Sequence, residues 1–573
     1  MLRRTLIHLL PVLVPLASQA QFPAAPPDTL PTWQETIAFY EHLARERHGA
    51  HLLELGHDDG GQALHLFVLA DGSPCHPDSI RAQDKNILWI TNGIHPGEPD
   101  GVVATMQLVQ ALLDNDQLMG LLSRTAVCVV PTYNVSGALA TGRPSRPDQN
   151  GPVGHGVRTT ARNLDLNRDF AKRDSRNARD LVQALTFWDP DLYVETHVTN
   201  GADHTYHMEL LTTHPDKLDK GLAAFLGGVL LPTIHDRLGE KGIHTFPYFE
   251  LMGEVPDSGL TGFIDSPRYS TGFNALFDRL GLMTESHMLK PWPARVAATR
   301  ETLVAVLITM DRHADLLMAT RAAARLRTST TARYGLDHQF DTSAVEELPF
   351  AGYAFTYEPS AVSGLPRLKY DASRPVDLQV KWMDRIAPRV VVEKPAAYLV
   401  PQAWPEVIAR LRESGAPSRV LARDSVMTVE EMSISNYLSS RGPVEGRTLH
   451  RQVEVDIRTV ERTFRVGDVL FPMGHPTDRY VVSMLDPRGE DSFFAWGFFD
   501  TVLQRKEGFS DYVFEDRAAE LLQRDEALRL ALEARRQADT DFAADAHAQL
   551  QFIFDRSPWA EEAYRLQPVF RVP

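Results

Sequence analysis

The chain has 573 residues, of which 43% are hydrophobic and 23% charged, proportions typical of a soluble globular protein with two or three domains. Its 59 basic and 75 acidic residues give a formal net charge of −16. This acidic balance argues against nonspecific binding to nucleic acid or to an anionic membrane surface, and we expect neither as a partner.

The first residues have the pattern of a secretory signal. Two arginines precede an apolar run over residues 6–16, and residues 17–20 include the small side chains that a signal peptidase reads. We therefore predict a signal peptide at 1–20 and a proline-rich tether at 21–31. Because the apolar run is too short to span a bilayer, we expect a periplasmic or secreted protein without a membrane anchor.

The sequence contains two cysteines, Cys75 and Cys128. Cys128 lies in an apolar run, whereas Cys75 lies in a polar, proline-containing segment. A disulfide would suit an oxidising compartment, but the difference in context favours two free thiols.

The first half of the chain alternates between helical and strand patterns. Apolar residues recur at helical spacing in residues 32–46, 102–114 and 179–187. Strand patterns predict a hairpin over 51–69 and strands at 86–90, 125–130, 191–197 and 282–286. This alternation predicts a largely parallel sheet with helices packed against it.

Chemically active side chains follow or end several of these strands. His95 and Glu98 flank a Pro-Gly pair just after the predicted strand at 86–90. His197 ends the strand at 191–197, and Glu285 lies in the strand at 282–286. The carboxyl edge of such a sheet is where ligand crevices form. Imidazole and carboxylate donors at one edge suit a zinc ion, although a Pro-Gly turn with solvated polar residues is the simpler alternative.

An arginine-rich segment over residues 158–170 interleaves its charges with Leu and Phe. Part of it must therefore be packed, and packed arginines need anionic partners. The planar guanidinium group is well suited to a carboxylate.

Four motifs, in this order, resemble the zinc carboxypeptidase family. They are His95-Pro96-Gly97-Glu98, the Asp-Leu-Asn-Arg-Asp-Phe run at 165–170, the Glu-Thr-His run at 195–197 and Thr284-Glu285. The resemblance extends over about residues 30–292. It implies an α/β/α sandwich around a mixed, mainly parallel, eight-stranded sheet.

The resemblance also implies roles at the metal. His95, Glu98 and His197 match the ligands of a single Zn²⁺ ion, and Glu285 matches the general base that takes a proton from a zinc-activated water.

Further roles follow for the binding of a peptide with a free C-terminal carboxylate. Asn167 and Arg168 match the pair that holds this carboxylate, and Arg158 matches the arginine that supports the oxyanion. Arg162 is the alternative to Arg158, because it also precedes the Asn-Arg pair.

The chain departs from the family pattern where a flap tyrosine is expected. Residues 262–265 contain no tyrosine, and Tyr269 is the nearest candidate. Arg268 is either an extra ligand of the substrate carboxylate or a surface residue.

Three further histidines lie near the motifs. We expect His204 and His207 to line the active site as hydrogen-bonded residues rather than metal ligands. His287, two residues after Glu285, is expected to be structural and to lie on the opposite face of its strand.

The second half of the chain has a different pattern. A long helix over 298–326 is predicted to close a catalytic domain at 32–326, followed by a β-rich accessory domain with C-terminal helices at 327–573. Its predicted strands are 349–359, 376–383, 390–401, 446–460 and 480–485, and its predicted helices are 406–414 and 515–554. Secreted bacterial members of the family carry similar tails.

The aromatic stretch at 491–500 favours core packing between the domains over a wall or lid of the substrate cleft.

These observations predict a zinc carboxypeptidase that hydrolyses C-terminal peptide bonds. One alternative keeps the metal but acts as an amidohydrolase on N-acyl amino acids or cell-wall peptides. Another is an inactive peptide-binding protein of the same fold. The Asn-Arg pair and the long chain favour peptides, and the complete ligand set with Glu285 favours an enzyme.

Overall fold

A computed structural model describes residues 30–573, apart from residues 71, 73, 143 and 144. The predicted signal peptide at 1–20 and the tether up to residue 29 lie outside the described residues. Among the described helices, none combines the length and apolar character needed to cross a membrane.

The main sheet has eight strands in the order β1-β2-β4-β3-β5-β10-β6-β7. The strands of the first half are β1 (Ala50–His57), β2 (Ala63–Leu69), β3 (Asn86–Thr91), β4 (Thr125–Val130), β5 (Leu192–Thr199), β6 (Met208–Thr212), β7 (Thr245–Pro247), β8 (Glu250–Leu251), β9 (Leu260–Thr261) and β10 (Leu280–His287). Four neighbours, β4, β3, β5 and β10, run parallel, whereas β1 and β2 pair antiparallel with their neighbours. Strand β6 pairs antiparallel with β10 and parallel with β7. The mixed eight-stranded sheet is as predicted.

Helices cover both faces of this sheet. They are α1 (Trp33–Glu46), α2 (Pro77–Arg81), α3 (Asp100–Asp114), α4 (Asp116–Met119), α5 (Val135–Leu139), α6 (Arg176–Trp188), α7 (Lys220–Phe225), α8 (Leu231–Glu240), α9 (Ser270–Ala275), α10 (Trp292–Arg312) and α11 (Ala314–Thr330). Side chains alternate along each strand, so β3 sends Trp89 into a core shared with α6 and Ile90 into a core shared with α3 and α10. The α/β/α layering is confirmed.

The prediction of one long helix over 298–326 is wrong. The segment is two helices, because His313 leaves the helical region with φ −117° and ψ 26° and ends α10. Histidine is a poor helix former, and Asp315 in the first turn of α11 favours a new start there.

The second half adds β-rich and helical regions. Its strands are β11 (Arg333–Phe340), β12 (Glu346–Pro359), β13 (Pro366–Met383), β14 (Ile386–Glu393), β15 (Ala397–Val400), β16 (Arg419–Val420), β17 (Ser425–Ser439), β18 (His450–Phe464), β19 (Val469–Pro472) and β20 (Phe570–Val572). They form a pair β11-β14, a sheet β12-β13-β9-β8 and a sheet β16-β19-β15-β20-β17-β18. Its helices are α12 (Pro405–Glu413), α13 (Asp478–Leu485), α14 (Asp511–Arg524), α15 (Glu526–Ala538), α16 (Thr540–Ala544) and α17 (Ala546–Phe554).

The predicted strand at 480–485 is wrong, because this segment belongs to α13. All of its side chains are buried, and a short apolar run does not distinguish a strand from a buried helix. The Asp478 carboxylate accepts backbone N–H bonds from Gly474 and His475 at the start of the helix. These bonds fix the backbone that leads into the helix.

The predicted strand at 390–401 is divided in two, and the predicted helices over 515–554 are present as separate helices. Residues 390–401 contain parts of two strands, β14 and β15, and 515–554 contains four helices. Asp525, Asp539 and Asp545 each accept a backbone N–H at the start of the next helix, which ends the preceding one.

The aromatic stretch at 491–500 is core, as predicted. Phe493, Phe494 and Phe499 belong to the same cluster as Trp89 and the apolar face of α6. The two cysteines are free thiols, also as predicted.

Candidate active site and metal centre

The loop after β3 is held rigidly at the parallel edge of the sheet. The side-chain oxygen of Asn92 accepts hydrogen bonds from Thr196 (2.9 Å) and Thr105 (3.2 Å), which joins the loop to β5 and α3. Gly93 turns the chain with φ +63°, and a Cβ on Gly101 would clash with Thr196 Oγ1. The sequence after β3 therefore fixes where His95 and Glu98 lie.

His95, Glu98 and His197 converge on one point. Glu98 lies between the two imidazoles, with Oε1 3.3 Å from His95 Nδ1 and Oε2 3.0 Å from His197 Nδ1. All three side chains are buried. His95 Nδ1 makes no hydrogen bond in this buried position. Two nitrogens and a carboxylate, with one nitrogen unpaired, are a donor set that fits a zinc ion.

A second carboxylate holds the far side of each imidazole. His95 Nε2 lies 3.0 Å from Asp165 Oδ1, and His197 Nε2 lies 3.0 Å from Glu195 Oε2. In metal sites, such partners fix the ring orientation and leave the other nitrogen to ligate. The sequence assigned no role to either carboxylate, although each lies two residues from a predicted site residue.

Glu285 lies beside His197, because β10 and β5 pair in parallel with these two residues in register. Burial raises the pKa of Glu285 to about 8, and the negative charges of Glu98 and Glu209 add to this effect against the opposing His197. The carboxyl group therefore exchanges a proton near neutral pH, as a general base must.

Of the two arginines proposed for the oxyanion, only Arg158 lines the site. Its guanidinium group pairs with Asp165 (2.9 Å) and lies 3.4 Å from Glu98 Oε1. Arg162 is exposed and donates instead to the carbonyl of Asp174. Arg146, which the sequence did not single out, also pairs with Glu98.

The cavity over these residues has a volume of about 320 Å³. Among the described residues, its lining includes His95, Glu98, Arg146, Arg158, Asn167, Arg168, His197, Tyr248, Glu250, Phe263, Tyr269 and Glu285. The Arg168 guanidinium lies over the ring of Tyr269 at 4.5 Å. The structure thus brings the predicted ligands, Glu285, Asn167, Arg168, Arg158 and Tyr269 to one cavity.

Arg268 is placed elsewhere. Its guanidinium pairs with Asp491 at 2.8 Å and lies over the ring of Trp496 at 4.9 Å. It does not appear in the described lining of the cavity.

Tyr248 also lines the cavity. Burial raises the pKa of its phenol, and the negative charge of nearby Glu285 adds to this effect. The tyrosine was missed because it lies farther before Glu285 than the family spacing indicates. It directly follows β7, and no local pattern shows that this strand pairs with β6.

The expectation that His287 lies on the face opposite Glu285 is wrong. Residues two apart on a strand share a face. Glu209, directly across from Glu285 on β6, also belongs to a cluster with His287.

Comparisons with known proteins agree with this geometry. The family model described as zinc carboxypeptidase matches residues 36–200, which include His95, Glu98 and His197. Carboxypeptidase 2 of Trichophyton rubrum is 23% identical over 492 residues, covering 82% of this chain and 84% of the relative. The Trichophyton tonsurans protein of the same name is 22% identical over 494 residues, covering 82% and 84%.

Solved structures of similar proteins include a metallo-carboxypeptidase from Burkholderia cenocepacia, with 18% identity, a TM-score of 0.37 and coverage of 49% of this chain and 69% of that one. A metallo-carboxypeptidase from Pseudomonas aeruginosa has 19% identity, a TM-score of 0.37 and coverage of 50% and 69%. Residues 36–200 thus match the zinc carboxypeptidase family model, and the motifs that resemble this family converge on one cavity with a donor set that fits a zinc ion.

Proposed function

We propose that this chain removes C-terminal residues from peptides, with His95, Glu98 and His197 as the ligands of one zinc ion. The observation that carries the proposal is the arrangement of the imidazoles. Both Nδ1 atoms face the Glu98 carboxylate, and both Nε2 atoms are held by a second carboxylate. This is the arrangement expected of histidines that ligate a metal.

When bound, zinc supplies a Lewis acid that polarises the scissile carbonyl and makes a water more acidic. Glu285 takes the proton from the attacking water and passes it to the leaving amine. Burial raises the pKa of this carboxyl, which makes it a stronger proton acceptor, and a bound cation would favour the carboxylate form that can act as the base.

Two arginines have separate roles in this proposal. Arg158, held by Asp165, stabilises the oxygen that gains negative charge, an effect of about 2.7–4 kcal/mol per donor in other enzymes. Arg168, with Asn167, binds the terminal carboxylate and so places the last peptide bond at the metal. That requirement distinguishes an exopeptidase from an endopeptidase.

The aromatic residues complete the site. Tyr269 lies under the Arg168 guanidinium, and Tyr248 lies close to Glu285. We propose that both tyrosines contact the substrate, and that Arg268 acts by orienting its neighbour Tyr269 through the bond to Asp491.

The second half of the chain supports the arginine-bearing loop. Glu445 accepts the backbone N–H of Asp165 at 2.8 Å, and Arg447 pairs with Asp174 through two nitrogens at 2.6 and 2.7 Å. We propose a catalytic domain at 32–326 and an accessory domain at 327–573 that holds this loop in place. The pattern at residues 1–20 supports export to the periplasm or outside the cell.

Glu285→Gln tests the proposal, because glutamine keeps the shape of the side chain but takes no proton. We expect almost no hydrolysis of a blocked dipeptide and unchanged zinc content. Unchanged turnover would exclude Glu285 as the base.

Substrate comparison separates the alternatives. A blocked dipeptide with a free carboxylate should be cleaved in preference to an N-acyl amino acid. The reverse preference would favour an amidohydrolase. Binding of peptides without turnover by the zinc-loaded wild type would favour an inactive peptide-binding protein.

A further inference from the structure

A second group of metal-ligating side chains lies on the same face of the sheet, beyond Glu285. It consists of His204 in the connection between β5 and β6, Glu209 on β6 and His287 at the end of β10. Glu209 is directly across from Glu285 in the antiparallel pairing of β6 and β10, and His287 is two residues farther along β10. Three separate segments therefore meet at this cluster.

The three side chains are close and fully enclosed. One donor atom from each lies within 4.8 Å of the others. His204 Nε2 is 2.9 Å from Glu209 Oε1, and the two imidazole rings stack with centroids 4.1 Å apart. The exposed fractions are 1% for His204, 2% for Glu209 and 0% for His287.

Hydrogen bonding within the chain does not account for all the polar atoms of this cluster. His204 Nδ1 and His287 Nδ1 are buried without a hydrogen-bond partner. Each such group costs about 1–3 kcal/mol when it is left unsatisfied. His287 Nε2 lies 3.2 Å from Asp203, so a carboxylate holds the far nitrogen of this imidazole, as Asp165 does for His95.

The donor set and its surroundings are those of a structural transition-metal site. Two imidazoles and a carboxylate suit zinc and its neighbours in the first transition row rather than calcium or magnesium. The rings of Phe249 and Phe350 lie 5.8 and 6.0 Å from that of His204, which separates the cluster from solvent.

We propose that His204, Glu209 and His287 bind a second divalent transition-metal ion, separate from the ion held by His95, Glu98 and His197. The ion ties the connection between β5 and β6 to the end of β10, next to Glu285. Lys290 donates to the carbonyl of His204 at 2.6 Å, which anchors the same connection from the backbone side. The new site is structural, because its ligands are buried away from the substrate cavity.

Zinc content per chain tests this directly. Protein loaded with zinc and dialysed against a weak chelator should contain two zinc ions per chain. The double variant H95A/H197A, which leaves the second cluster untouched, should keep one. A double variant with no zinc would overturn the proposal.

Variants of the cluster supply the complementary measurement. E209Q should contain one zinc ion and retain it at the catalytic site. H207A is the matched control, since His207 is half-buried and outside the cluster, and it should contain two. Equal zinc content in E209Q and wild type would also overturn the proposal.

Thermal unfolding distinguishes a metal site from a hydrogen-bonded network. Glutamine keeps the shape of the Glu209 side chain, and its amide oxygen can still face His204 Nε2, so E209Q removes the charge of the ligand with little change in this contact. In excess zinc, a bound ion should give the wild type a higher Tm than E209Q, and the difference should vanish after chelation. An equal Tm in excess zinc would contradict the proposal.

The tests of the second metal site do not depend on the proposed catalytic function. One zinc ion per wild-type chain, lost in H95A/H197A and kept in E209Q, would refute the second site alone. Two ions without carboxypeptidase turnover would refute the proposed function alone.

Discussion

The carboxylate of Asp165 connects the metal to the substrate arginines, which makes Asp165→Asn an informative substitution. Oδ1 accepts hydrogen bonds from His95 Nε2 (3.0 Å) and from the backbone of Asn167 (2.8 Å), while Oδ2 accepts from Arg158 (2.9 Å). Burial opposes the charge, but the hydrogen bond from His95 and the charges of Arg158 and Arg168 hold the pKa of Asp165 below its usual range. The group is therefore a carboxylate at neutral pH.

In Asp165→Asn, the amide oxygen can keep both bonds at Oδ1, but an NH₂ group then faces the Arg158 guanidinium. Loss of the anionic partner of His95 should raise the Kd for zinc about 10- to 100-fold. Loss of the charge-assisted bond to Arg158, worth about 1.5–3 kcal/mol, should lower kcat/KM a further 10- to 150-fold or so even at saturating zinc.

Glu195→Gln is the matched control. Glu195 holds His197 in the same way, but its other bonds are to the hydroxyls of Tyr193 and Ser270 and not to an arginine. Its zinc Kd should also rise, yet excess zinc should restore kcat/KM. The assays are zinc competition with a chelator and peptide hydrolysis at saturating zinc. Full recovery of Asp165→Asn in excess zinc would refute the role assigned to Arg158, and an unchanged Kd would refute the role of the second carboxylate.

Chelation should abolish peptide hydrolysis, and added zinc should restore it; activity that survives complete metal removal, verified by metal analysis, would contradict a zinc enzyme. Arg168→Gln should lower kcat/KM about 10- to 150-fold for peptides with a free carboxylate, which corresponds to the loss of about 1.5–3 kcal/mol, and leave any slow cleavage of amidated peptides unchanged, as compared by parallel assays. The kcat/KM should fall as the pH drops through the pKa of Glu285, since a protonated carboxyl cannot act as a base, and this limb should lie below about 8 because the bound cation favours the carboxylate; a rate independent of pH from 5 to 8 would be inconsistent with this role. Arg173→Met should lower the free energy of unfolding by about 1–3 kcal/mol, because the buried hydroxyls of Tyr480 and Ser414 each lose a hydrogen bond from the guanidinium group, and denaturant titration measures the change.

The convergence of the three proposed metal ligands could be predicted from the sequence because their placement is local. His95 and Glu98 are separated by two residues after a buried strand, and His197 ends another strand. Parallel pairing then brings these strand ends to one edge. No detail of distant packing is needed for that conclusion.

The second carboxylates were missed although the signal was present. Glu195 is two residues before His197 on β5, and such residues share a face of the strand. The same rule places His287 on the face of Glu285, contrary to the expectation. Applying strand periodicity to every charged neighbour of a predicted ligand would have found both features.

The remaining errors came from non-local structure. Each of β8 and β9 has two residues and shows no periodicity, yet β9 pairs with the distant strand β13. Tyr248 reaches the cavity through the pairing of β7 with β6. In the helix at 480–485, Tyr480 packs against Phe273 and Phe277 of the first half of the chain. These outcomes depend on partners that a single sequence does not identify.

The sequence predicts the proposed metal ligands better than the substrate-binding residues, because the two groups depend on different parts of the chain. The proposed ligands lie on or directly after strands of one sheet, and all eight strands of this sheet come from the first half of the chain. The loop with Arg158 and Arg168 has little regular structure and depends on partners from the second half, including the bond from Asp165 to Glu445 and the contacts of buried Arg173 with Tyr480. A buried guanidinium without its partners is costly, so the loop and the second half must fold together. Changes in the second half can therefore alter the substrate side of the cavity while the sheet continues to hold the metal ligands in place.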